Sequence, residues 1–126
     1  MTHNLTLYGI SNCDTVKKAR IWLNERQVTT SFHDFKKQGV PASRLDHWLA
    51  HIPWERLLNR QGTTWRKLDA PAQAAITDAS SARALMLAQA SIIKRPVVEW
   101  PDGTVTVGFD ATLWQARLSD SQTASI

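Results

Sequence analysis

At 126 residues the chain can bury one hydrophobic core, and its 43% hydrophobic and 21% charged residues are the balance of a globular protein. With 5 Gly, 5 Pro and no repeat it is neither collagen-like nor low-complexity, and its 1 Cys excludes an intrachain disulfide framework and a four-thiolate metal site. Lys+Arg of 15 against Asp+Glu of 11 gives a charge of +4, which suits anionic ligands, from phosphate-like oxyanions and carboxylates to nucleic acid, and selects none of them. The longest clean apolar run, Ala84-Leu85-Met86-Leu87-Ala88, falls far short of the roughly 20 residues of a membrane helix. Met1-Thr2-His3-Asn4-Leu5 has neither the basic nor the apolar stretch of a signal peptide, so a cytoplasmic protein with a reduced thiol is expected.

Leu5-Thr6-Leu7-Tyr8 alternates and predicts a strand. Gly9-Ile10-Ser11-Asn12 reads as a loop. A helix is expected from Asp14, with Val16, Ala19, Trp22 and Leu23 on one face and Lys17, Lys18, Arg20 and Glu25 largely on the other. Val28-Thr29-Thr30-Ser31-Phe32-His33 is β-branched and aromatic, which predicts a second, parallel strand and closes a βαβ unit. The middle is helical. Leu45, Trp48, Leu49 and Ile52 recur at helical spacing up to Pro53, and Trp54, Leu57 and Leu58 suggest a short further turn. Residues 71–90 read as two Ala-rich helices with a cap near Asp78 or Ser80. Val97-Val98-Glu99-Trp100, the turn Pro101-Asp102-Gly103 and Thr104-Val105-Thr106-Val107 spell a hairpin. A last helix is expected over Ala111 to Leu118, and residues 119–126, small and polar, as a flexible tail. The order predicts an α/β protein with a mixed four-stranded sheet. This is a thioredoxin-like arrangement over 1–118, with a helical insertion at about 41–91 between its βαβ and ββα halves.

Cys13 directly precedes the first helix. A helix N-terminus offers unpaired amides and partial positive charge, which stabilise a thiolate and bring a free-cysteine pKa of about 8.5 toward 7 or lower. Lys17, one turn on, would help, and Asp14 would oppose. Asn12 could cap the helix or bond the sulfur, and Thr15 could donate its hydroxyl to it. Cys13-Asp14-Thr15-Val16 carries Val where a dithiol motif has its second Cys, so a mixed disulfide on Cys13 must be opened by an external thiol, most simply glutathione. A Cys-x5-Arg phosphatase loop fails on spacing. Ala19 stands where Arg is needed, and Arg20 is one residue late, about 100° round the helix.

Tyr8-Gly9-Ile10-Ser11-Asn12-Cys13-Asp14-Thr15-Val16-Lys17-Lys18-Ala19 resembles the active-site segment of the ArsC/Spx family, in particular its YffB-like proteins. Leu58-Asn59-Arg60-Gln61-Gly62-Thr63-Thr64-Trp65-Arg66-Lys67-Leu68, Ile92-Ile93-Lys94-Arg95-Pro96-Val97-Val98 and Val107-Gly108-Phe109 extend the resemblance over residues 4–118. It implies a thioredoxin-like fold with a nucleophilic Cys13 and glutathione as co-substrate rather than a tightly held cofactor. It also implies Arg60 and Arg95 on an anionic group, a cis Pro96 facing the sulfur, no metal, and glutaredoxin as a possible partner. Arsenate reductases of the family carry a third arginine after the hairpin. Here that segment is Val107-Gly108-Phe109-Asp110, so a third cation would have to come from Arg117 or Lys94. Two guanidinium forks hold a tetrahedral oxyanion less completely than three.

The reading that follows is a glutathione-dependent thiol–disulfide oxidoreductase with Cys13 as nucleophile and Asn12, Thr15, Lys17, Arg60, Arg95 and Pro96 on substrate or glutathione. The alternatives are an arsenate reductase and an Spx-like regulator docking on RNA polymerase, the latter without a Cys-x-x-Cys switch. The six Trp are spread over separate elements, which favours packing over nucleic-acid stacking, and no membrane contact is expected. His47 and His51, four apart, lack an evident third ligand for a metal, and His33 is no better placed.

Overall fold

The alternation at the start of the chain becomes strand β1 (Asn4–Gly9) in the computed structural model of this protein, which describes the backbone of residues 4–124 and the side chains of residues 4–119. There follow α1 (Asp14–Glu25), β2 (Thr29–Asp34), α2 (Phe35–Gln38), α3 (Ala42–His51), α4 (Trp54–Leu57), α5 (Thr63–Arg66), α6 (Ala70–Ala74), α7 (Ala79–Ala88), β3 (Val97–Glu99), β4 (Val105–Val107) and α8 (Ala111–Ala124). The residues divide into two compact units. One joins the residues up to His33 with those from Arg95 onward, and the other is Asp34–Lys94.

The first unit holds the sheet, in the order β2-β1-β3-β4. Thr6 faces Glu99 and Tyr8 faces Val97 in the antiparallel β1–β3 pair, and Val98 faces Thr106 in the antiparallel β3–β4 pair. The α1 crossover sets β2 beside β1, so the sheet is mixed. Alternation sends Leu5, Leu7 and Val98 into one core with Val16, Ala19, Trp22 and Leu23 of α1 and Trp114 and Leu118 of α8. On the opposite sheet face the Tyr8 hydroxyl donates to Glu99 at 3.0 Å. Trp114 is the hub of the core. Its ring stands edge-on to Trp22 (5.8 Å), Trp100 (5.4 Å) and Phe109 (4.8 Å between centroids). Each such pair adds about 0.5–1.5 kcal/mol beyond the area it buries. The hairpin turn forms as its residues dictate. Gly103, at φ +90°, donates to the Trp100 carbonyl, and Asp102 accepts from the Thr104 amide.

The Asp34–Lys94 unit is helical apart from one bridge between Leu58 and Ile93. Its first element is α2, a helix too short to show periodicity in the sequence. The Asp34 carboxylate caps α2 by accepting from the Lys36 amide at 2.9 Å. α5 was likewise unforeseen. α3 stops at His51, two residues before Pro53, because the residue preceding a proline is driven out of the helical region; Ile52 is extended. Asp78, rather than Ser80, caps α7, in a reciprocal box with Ser81. α8 runs to Ala124, so residues 119–124 continue the helix where a tail was expected, and 125–126 lie outside the described residues. Its start is fixed by Asp110, which accepts from the Leu113 amide at 3.1 Å. Among the described residues no helix is long and apolar enough to cross a membrane.

The aromatic hub predicts a steep contrast between neighbours on α8. Trp114→Ala should lower the unfolding free energy by about 3–5 kcal/mol in urea titrations. Leu113→Ala, at a side chain 62% exposed, should change it by no more than about 0.5 kcal/mol.

Candidate active site around Cys13

Local packing fixes where the sulfur sits. A Cβ on Gly9 would lie 2.8 Å from Val16 Cγ2, so β1 runs against the first turn of α1 as only glycine permits. The loop then folds tightly: the Cys13 amide donates to the Ile10 carbonyl (3.1 Å), and the Cys13 carbonyl accepts from the Lys17 amide (2.9 Å). Cys13 itself is the N-cap of α1, with extended φ −87° and ψ 126°. The cap expected of Asn12 is therefore one residue later, and Asn12 is exposed.

Cys13 is half-buried and packs against the edge of the aromatic core. Burial raises its pKa and is the largest single influence. Against it act the Val16 amide, the Arg95 guanidinium as both donor and positive charge, and the Thr15 amide, and together they hold the thiol below its ordinary value. Thr15 thus acts through its backbone, not through the hydroxyl expected from the sequence. The contribution of Val16 was missed, although it follows from an N-cap at Cys13, whose side chain faces the amides two and three residues on.

Arg95 and Pro96 come from the start of β3. The Arg95–Pro96 peptide is cis, as the resemblance implies, and the buried Pro96 accepts the Gly108 amide at 2.9 Å through its carbonyl. Lys17 is not among the groups acting on the sulfur; it is exposed and lines a groove between α1 and β2. Arg117 lies over the Trp100 ring at 5.4 Å. Arg60 belongs to the Asp34–Lys94 unit. There its exposed guanidinium lies 5.3 Å from the Trp54 ring centroid and 5.7 Å from that of Trp65. Its loop is closed by the Asn59 carboxamide, which accepts from the Gln61 amide and lies 2.7 Å from where a Cβ on Gly62 would stand. His51 Nδ1 pairs with the His47 carbonyl, and no group of three metal-ligating side chains occurs among the described residues.

The ArsC family pattern matches residues 8–116. The chain belongs to the ArsC family. Among similar solved structures is the YffB (PA3664) protein, with 48% identity, a TM-score of 0.83, and coverage of 89% of this chain and 96% of that one. An arsenate reductase (ArsC) related protein from Brucella melitensis is 52% identical at TM-score 0.72, with 92% and 93% covered. A chain of Haemophilus influenzae described as an uncharacterized protein is 35% identical over 115 residues, 91% of this chain and 99% of its own length. The family match takes in the loop and the helix that carry the sulfur in this ArsC-family chain.

The setting of the sulfur predicts its titration. Rates of iodoacetamide alkylation against pH should give a midpoint below the free-cysteine value of about 8.5, and Arg95→Gln should move it upward. The sign for stability follows. The folded thiol titrates below the unfolded one, so this group's stabilisation is complete above about 8.5 and fades as pH falls through the folded value.

Proposed function

We propose that this protein is a thiol–disulfide oxidoreductase that works through Cys13 with glutathione as co-substrate. The observation that carries the reading is the Cys13 sulfur at the cap of α1, held toward thiolate by Arg95 and two amides, in a chain with no second cysteine to resolve an intermediate. The Cys13 thiolate attacks the glutathione sulfur of a mixed disulfide. The new bond is Cys13–S–S–glutathione, and the other thiol leaves as its thiolate and takes a proton from solvent. A second glutathione, as thiolate, then attacks the glutathione sulfur of that adduct; glutathione disulfide forms and the Cys13 thiolate is restored. One substrate disulfide is reduced by two electrons, supplied by the glutathione sulfurs. Arg95 stabilises the anionic sulfur at the start and end of the cycle. Lys17 is assigned to a glutathione carboxylate, with Pro96, Asn12 and Thr15 bordering the tripeptide.

Arsenate reduction is the second reading, favoured by the name of the Brucella relative. It is weakened by Val107-Gly108-Phe109-Asp110, which offers no third arginine.

The test uses the mixed disulfide of glutathione and 2-mercaptoethanol, with glutathione disulfide formation coupled to glutathione reductase. Intact mass should show one glutathione adduct, absent in Cys13→Ser and released by excess glutathione. Turnover should vanish in Cys13→Ser and fall about tenfold or more in Arg95→Gln at neutral pH. No adduct and no turnover would overturn the proposal. Arsenate consumption with glutathione and glutaredoxin, without disulfide turnover, would install the second reading.

A further inference from the structure

In the first unit, a groove of about 590 Å³ runs between α1 and β2. This is the size of a ligand-binding cleft. Lys17, Arg20 and Ile21 form the helix side, and Val28, Thr30 and Phe32 line it from the strand side. Three features define what fits it. First, β2 is the outermost strand of the sheet, and the lining positions 28, 30 and 32 alternate, so their side chains recur about every 6.6 Å along the groove. Second, the groove carries exposed apolar surface beside polar side chains: Ile21 is 59% exposed and Phe32 half-buried, with Asn24 and Thr30 next to them in the lining. Third, its charge is of one sign. Lys17 and Arg20 line it, no carboxylate does, and Arg20 is held 4.2 Å above the Phe32 ring, where cation and apolar surface meet.

We propose that this groove docks an extended peptide segment of a partner protein, added as a strand to the β2 edge, whose side chains on the face turned toward α1 (every second residue) include both apolar and acidic ones. The peptide's main chain would pair with β2. Its apolar side chains would cover Ile21 and Phe32, and its carboxylates would meet Lys17 and Arg20. A compact anion would engage the cations and leave the apolar stripe wet. Cys13 takes no part in the groove, and Lys17 is the one residue it shares with the glutathione assignment above.

The probe is a panel of capped hexapeptides that carry both Val or Leu and Asp or Glu among positions 1, 3 and 5, with Thr at positions 2, 4 and 6, titrated into the full 15N-labelled chain; a matched panel carries Lys in place of the acids. Saturable amide shifts confined to α1 and residues 28–34 are expected for the acidic panel and not for the Lys panel, weakening as salt rises. Arg20→Glu should weaken the acidic peptides about tenfold or more and admit the Lys peptides, and Ile21→Asp should weaken both. Unchanged circular dichroism in both variants shows that the fold is kept. The proposal fails if no acidic peptide saturates, if the shifts map elsewhere, if Arg20→Glu leaves affinity unchanged, or if succinate alone reproduces the shifts and affinity.

Discussion

Withdrawing a sulfur from water raises its pKa, and at Cys13 the Arg95 guanidinium and two amides of α1 outweigh that effect. Neither contribution is available to a cysteine elsewhere on the helix. The amides converge only at the cap, where α1 has no preceding turn to satisfy them, and the guanidinium arrives from the bend before β3, far away in sequence. Burial stands on one side of the balance, and two amides with one guanidinium on the other. Deeper burial of Cys13 or loss of the Arg95 charge would each return the thiol toward its neutral form.

The rest of the first unit serves to hold these partners still. Gly9 lets β1 approach Val16, which sets the start of α1, and Trp22 locks the far end of the same helix against Trp114. β3 is anchored on one side by its register with β1 and on the other by β4. The Gly108 amide, just beyond β4, returns to the Pro96 carbonyl beside Arg95. The same aromatic core that stabilises the sheet therefore also sets the orientation of the helix end whose amides lower the Cys13 pKa.

The strand–loop–Cys–helix opening, the hairpin and the buried face of α1 were legible because each carries a local physical signature: alternation, Pro and Gly dihedrals, and 3.6-residue spacing. The sequence resemblance supplied what locality could not, the approach of Arg95 and the cis bond at Pro96. What escaped had no periodicity to read. α2 and α5 each span four residues, and α2 rests on a single cap, Asp34, buried in the structure. The polar composition after Leu118 suggested fraying, yet nothing in Ser119-Asp120-Ser121-Gln122-Thr123-Ala124 breaks a helix already started by Asp110. At the site, attention to the Thr15 hydroxyl hid the Thr15 and Val16 backbone, because side chains are what a sequence displays.

The indoles of Trp22, Trp100 and Trp114 form two edge-on pairs with centroids less than 6 Å apart. Transition dipoles so close and so rigidly set couple to one another, giving this unit its own near-ultraviolet circular dichroism, which persists only while the rings keep their fixed angles. Trp48, buried in the Asp34–Lys94 unit with its ring 6.2 Å from that of Phe35, sits outside that trio. Loosening of the helix that begins after Cys13 can thus be followed optically, through the chain's own chromophores, with no label attached.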